Sequence, residues 1–327
     1  LTALAAPAAV PFDISLDDAN DFGGVFSVTA ANNLTVNDVD DLDLGTVTAA
    51  GTVTATAVTN LDVVTSLAAP RVSLTGAELS LSGPITASAS TAINATNGSV
   101  TGSGLVTTTT LNATATGGID LQTDIAALTA TVGTDVTIND SGDVTLSGIT
   151  ATAGNVSITA AGQLTIASSV TAGQDVTLNS TGDNIFGSGL ISADHVSANA
   201  AGSISLNLAA DSLDATSTGG SVTVTDAGDL ELGTVTTSGS EESVSVTASG
   251  NLTVNTSVTA TDGIRLTGAN LQLNDTVTDP TRVTLTATTG TIAGDGLVTA
   301  NAVVASAPGS VNLNVSANSV NVTSGDD

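Results

Sequence analysis

The chain holds a single histidine, His195, in 327 residues. A serine nucleophile activated by a histidine base would have to use it. No Gly-x-Ser-x-Gly elbow, the turn that presents such a serine in many hydrolases, accompanies it. His195 occupies the place that other repeats give to Asp175 or Asn155, which makes it a corner residue. Carboxylates come in adjacent pairs at Asp17–Asp18, Asp40–Asp41 and Glu241–Glu242. General acid–base chemistry needs two carboxyls on one face, whereas neighbours on a strand point to opposite faces. Hard cations such as Ca2+ want several oxygens, and Asp and Asn are plentiful, but no repeated Gly-Gly-x-Gly-x-Asp motif gathers them. The residue pattern therefore assigns no catalytic, cofactor or metal residues, and leaves at most weak incidental Ca2+ binding.

Two softer patterns remain. Thr-x-Thr pairs at Thr52, Thr129 and Thr284 would suit an ice-binding face if they recurred on one side of nearly every repeat. The column Thr150, Thr171, Ser192 reads as too irregular for that. Asn-x-Ser/Thr triplets, such as those at Asn33, Asn94, Asn112, Asn155, Asn251 and Asn321, would accept glycans in a host with that machinery, and also arise by chance in a chain so rich in Asn and Thr.

The elements that would position such residues follow from composition. Four Phe and no Trp, Tyr, Met or Cys leave a core of Val, Leu, Ile and Ala, set among Thr, Ser, Gly and Asn. Branched side chains suit a pleated surface, so the expectation is strand. The net charge of −28, with three Arg and no Lys, excludes a nucleic-acid footprint and disfavours anionic membrane surfaces. Without Cys there is no disulfide framework. No run of 18 apolar residues suggests a membrane span.

The pattern returns about every 20 residues. One apolar series runs Val144, Leu164, Ile185, Ile204; a second Val156, Val176, Val196; a third Ile149, Val170, Ile191. Downstream, Val244, Ile264, Val283, Val303 and Leu252, Leu271, Ile292, Val311 advance together. Alternation of period two, broken by Gly, Asn or Asp, means short strands and corners. The expected fold is an all-β, right-handed parallel β-helix with about 20 residues and three short strands per coil, roughly 15 coils in all. Val, Leu and Ile would fill the interior, with Thr, Ser and Asp outside. Irregular corners or an insertion are expected between Ser212 and Ser240.

A longer repeat overlies the coil. "GSGLVTT" at Gly102 returns as "GSGLISA" at Gly187 and "GDGLVTA" at Gly294, and "DLDLGTVTAAG" at Asp41 as "DVTLSGITATAG" at Asp143 and "DLELGTVTTSG" at Asp229. Blocks of 85 to 107 residues have been duplicated. Residues 1–24 are expected to cap or link, with Pro7 and Pro11 blocking strand pairing and Phe12 plugging the first coil. Residues 25–327 would form one solenoid whose C-terminal strand alternates to Val322 with no capping helix.

In "GDVTLSG", "GNVSITAAGQLTI", "AGQDVTLNSTGD" and "SGNLTVNTSVTATDG" the sequence resembles the stem repeats of large bacterial exoproteins of the filamentous haemagglutinin type. The likeness covers most of residues 25–322. It implies a secreted, cell-surface, non-enzymatic shaft whose partners are further segments or copies of itself and an unidentified receptor or matrix. The Asn-Pro-Asn motifs of that family's transport domain are absent, so the resemblance is to shaft material. End-to-end assembly of subunits into a filament is the alternative.

Overall fold

The structure, a computed structural model, describes residues 2–4 and 12–325. Two compact units divide the chain, Leu1–Thr159 and Ala160–Asp327. Each is a parallel β-solenoid, and among the described residues there is no helix. The chain makes about 16 right-handed turns about 19 residues apart, against the expected 15 and 20. Right-handed crossover follows from the twist of parallel strands.

In the second unit the expected columns stack residue on residue. Val244 pairs with Ile264, Ile264 with Val283, and Val283 with Val303. Leu252, Leu271, Ile292 and Val311 form the next column. The turn that begins at Ile264 has its three strands separate: Ile264–Gly268, Leu271–Leu273 and Val277–Thr278. Elsewhere corners are soft enough for strands to fuse, as in Ile185–Ala200. The first unit repeats the plan, with Leu42, Leu61, Leu79, Val100, Ile119 and Val136 in one buried column.

The repeated Gly-x-Gly-Leu string has a steric cause. Gly102, Gly187 and Gly294 have φ of 154°, 155° and 136°. A Cβ on any of them would strike the carbonyl oxygen of Leu81, Ile166 or Leu273 in the turn below. The ladder shifts register at the first two of these motifs, and the following Leu105, Leu190 and Leu297 turn outward. The irregular stretch near Ser212–Ser240 is also present, as a register shift between Leu213 and Ala215 and a positive φ of 63° at Glu241.

Two expectations need correction. Strand Ile14–Asn20 already belongs to the ladder, with Ile14 on Leu34 and Leu16 on Val36, because its alternation continues the apolar columns. Phe12 plugs nothing, being 70% exposed, while Phe26 is fully buried and packs on Phe22 with ring centroids 5.0 Å apart. Pro7 and Pro11 lie outside the described residues.

The interior is also less purely apolar than expected. Asp38, Asp140, Asp226 and Asp279 are buried, and each uses its carboxylate as a clasp. One oxygen accepts an amide N–H from the preceding turn: Phe22 at 3.0 Å, Ile125 at 3.0 Å, Ala210 at 3.2 Å and Gly263 at 2.7 Å. The other accepts the amide two residues ahead, from Asp40, Gly142, Gly228 or Thr281. Buried carboxylates persist only when so satisfied.

Thr91 is the contrary case. It sits between Val72 and Leu111 in an inward column, 1% exposed, and its hydroxyl has no partner. Replacing an unsatisfied hydroxyl with a methyl removes a desolvation cost. Thr91→Val should therefore stabilise the chain by about 1 kcal/mol. A thermal scan followed by circular dichroism checks this, and an unchanged or lowered midpoint would contradict it.

Candidate functional site

The outward faces are built from the same ladder as the core. Each exposed side chain lies about 4.8 Å from its counterparts one turn above and below. Side chains 17 to 22 residues apart therefore meet. At the corners, Asp and Asn oxygens accept the amide of the next turn: Asn33 from Thr52 at 2.9 Å, Asp135 from Asn155 at 2.8 Å, and Asn270 from Thr291 at 2.8 Å. Much of the Asp and Asn content is accounted for by this stapling.

His195 is drawn into such a contact. Ser212 is its register partner, and Asp214 lies two residues further on the same outward face. His195 Nδ1 is 2.8 Å from Ser212 Oγ, and Nε2 is 3.3 Å from Asp214 Oδ2. In the neutral ring Nε2–H donates to Asp214 and Nδ1 accepts from the Ser212 hydroxyl. Asp214 Oδ1 accepts the Thr234 amide, which fixes the carboxylate. The three residue types of a hydrolase triad are thus assembled. The setting differs from one. Ser212 and Leu213 are paired with strands on both sides, to His195 and Val196 below and to Glu231 and Leu232 above. Their amides lie in the ladder rather than pointing at a place where an oxyanion would form. The arrangement is a polar bridge across three turns. The sequence reading had His195 as a corner residue and missed Ser212 and Asp214, which only the ladder period brings near it.

The paired acids are separated by the same logic. The Thr59 hydroxyl and the Asn60 amide hold the Asp41 carboxyl below its usual range. Asp40 is pushed up by its hydrogen bond with Asp38, then by desolvation and the neighbouring carboxylates. Asp62, stacked on Asp43, is raised by burial and then by that charge. Glu242 Oε2 accepts from Ser221 at 3.0 Å. Asp17 and Asp18 lie exposed on the first full strand. Among the described residues no three His, Asp or Glu side chains converge as a metal site would require.

The threonine column has the irregularity its sequence shows, with Thr171 paired to Ser192. Thr150 stacks on Thr131 and Thr114, and the column continues through Asn94 to Thr75 and Thr56. Its companion two residues earlier reads Thr54, Ser73, Ala92, Asn112, Thr129, so a paired Thr lattice is not maintained. Of the Asn-x-Ser/Thr asparagines, Asn33 donates to Asp13, Asn94 accepts from Thr114, Asn155 donates to Asp135 and Asn251 accepts from Asn270. Asn112 and Asn321 are exposed.

Compared with known proteins, the chain matches no family model, no curated protein and no solved structure. Function is therefore argued from this surface alone. It consists of hydroxyl, amide and carboxylate ladders on a rigid lattice. Several of its side chains hydrogen-bond to a neighbouring turn, as Asn33, Asp135, Asp214 and Asn270 do.

Proposed function

We propose that the chain is shaft material of a secreted, cell-surface exoprotein of bacterial type, similar to filamentous-haemagglutinin stems, which holds a binding surface away from the cell. The observation that carries this reading is the uninterrupted parallel ladder within each unit. Apolar columns continue from turn to turn, so reach grows by about 4.8 Å with every turn added. Block duplication is then the simplest route to length, and the Gly-x-Gly-Leu string recurs with the blocks. The role is mechanical and adhesive and needs no catalysis or cofactor; Ca2+ would bind only incidentally. Partners are further segments of the same protein and a surface or matrix ligand, without nucleic acid or membrane insertion.

The second reading is end-to-end assembly into filaments. In the last described strand, Asn314–Ser324, Val320 and Val322 are 51% and 48% exposed, whereas Val303 and Ala305 beneath them are each 1% exposed. A further turn, of the same polypeptide or of another copy, would cover them and pair the edge. Light scattering of the 327-residue chain across a salt series separates the two, since screening weakens repulsion between copies of charge −28. The shaft reading expects a monomer at every salt concentration. Orderly growth into uniform rods at high salt would replace it with the filament.

A further inference from the structure

The charge distribution of the second unit contains one exception. The outward column Thr223, Ser245, Arg265, Thr284 is a hydroxyl ladder interrupted once, by an arginine. Arg282, at the edge of the next turn, lines the same groove, whose volume is about 540 Å3. Two of the three cations in the chain thus share one recess. Both arginines are exposed, and among the described residues neither guanidinium is within ion-pair distance of a carboxylate. Asp262 lines the groove without pairing to either, and the hydroxyls of Ser243, Ser245 and Thr284 complete the polar part of its wall.

In a chain of 31 acids a guanidinium without a carboxylate partner is unexpected. Arginine presents a planar fork matched to carboxylate or phosphate. The surrounding negative field selects between ligands, because a densely charged polyphosphate would be repelled more strongly than a single carboxylate. The wall hydroxyls and Asp262 supply donors and acceptors suited to a sugar ring. The volume falls within the range of small-ligand sites, roughly 300–1,000 Å3. We propose that this groove binds a carboxylate-bearing saccharide unit, of uronate type, with Arg265 and Arg282 on the carboxylate and the serine and threonine hydroxyls on the ring. This deepens the proposed shaft reading by naming a ligand class for its lateral surface, and it rests on that reading only for its biological setting.

The test uses the whole 327-residue chain, titrated calorimetrically and by saturation-transfer NMR with monomeric galacturonate, and in parallel with its methyl ester. The expected result is binding of the acid, at least about tenfold weaker binding of the ester, and a similar loss in Arg265→Gln and in Arg282→Gln. Arg71→Gln, on the first unit, should bind as the native chain does. Circular dichroism of each variant confirms folding, which these exposed substitutions leave intact. No binding, equal binding of acid and ester, or binding indifferent to both groove arginines would overturn the proposal. Self-association lost in the two groove variants would also overturn it, by showing that the acidic occupant is a second copy. Failure here leaves the monomer-against-filament result untouched, so the two readings fail separately.

Discussion

Val176→Asp is expected to cost about 4 kcal/mol or more, enough to unfold much of the second unit at room temperature. Val176 is fully buried and stacks on Val196 in the turn above. The column is dry, so a carboxylate there would have none of the amide donors that satisfy Asp226 or Asp279. The neighbouring Thr177 points outward, and Thr177→Ser should change stability by well under about 1 kcal/mol. Chemical denaturation followed by circular dichroism checks the pair. Equal losses would mean that the inward and outward assignments of this strand are wrong.

Asp226→Ala has the second-largest expected effect. The carboxylate holds the Ala210 amide of the preceding turn and the Gly228 amide of its own corner. Truncation leaves both donors without an acceptor, at about 1–3 kcal/mol each, less the relief of removing a buried charge. A net loss of about 2 kcal/mol at neutral pH follows from that balance. The same group sets a pH dependence. Burial pushes the Asp226 and Asp140 carboxyls above 3.8 in the folded chain, against the opposing pull of their amide hydrogen bonds. The folded state therefore holds these protons more tightly than the unfolded state. Stability from these two groups rises as pH falls through their raised values towards 3.8, and is lost as pH climbs back. Mild acid should raise the melting temperature of the native chain, and by less in Asp226→Ala. A native midpoint that falls steadily from pH 7 to pH 4.5 would contradict this account.

The apolar columns were legible because a solenoid must repeat what it buries. Ile185 over Leu164 and Val303 over Val283 could be aligned from their spacing alone. The buried aspartates were not, since alternation marks a polar residue as outward. Their signal lay in the duplicated blocks: Asp38, Asp140 and Asp226 each stand three residues before Asp41, Asp143 and Asp229, a place where a corner residue turns in to reach two amides. His195 was weighed alone because its partners come 17 and 19 residues later. Adding one turn to its number would have found both. The groove arginines needed the register as well, for Arg265 and Arg282 lie on successive turns whose relative alignment is set by the bulges and corners between them. An apolar residue ahead of a repeat resembles a plug, yet Phe12 is exposed and it is Phe26 that is buried.

The most direct test of the central claim, that each turn returns residues to the same lateral position, is a pair of spin labels on adjacent turns. The chain has no native cysteine, so labels at Thr177→Cys and Ser197→Cys report without background. These residues are register partners on the outward face, about 4.8 Å apart along the stack. Labels at Thr177→Cys and Phe186→Cys are closer in sequence but lie in different columns, since Phe186 registers with Thr165 and Ser205. The account predicts strong dipolar broadening for the 177–197 pair and clearly weaker broadening for the 177–186 pair. Equal broadening, or the reverse order, would contradict the stacked register on which the shaft, the clasps and the groove all depend.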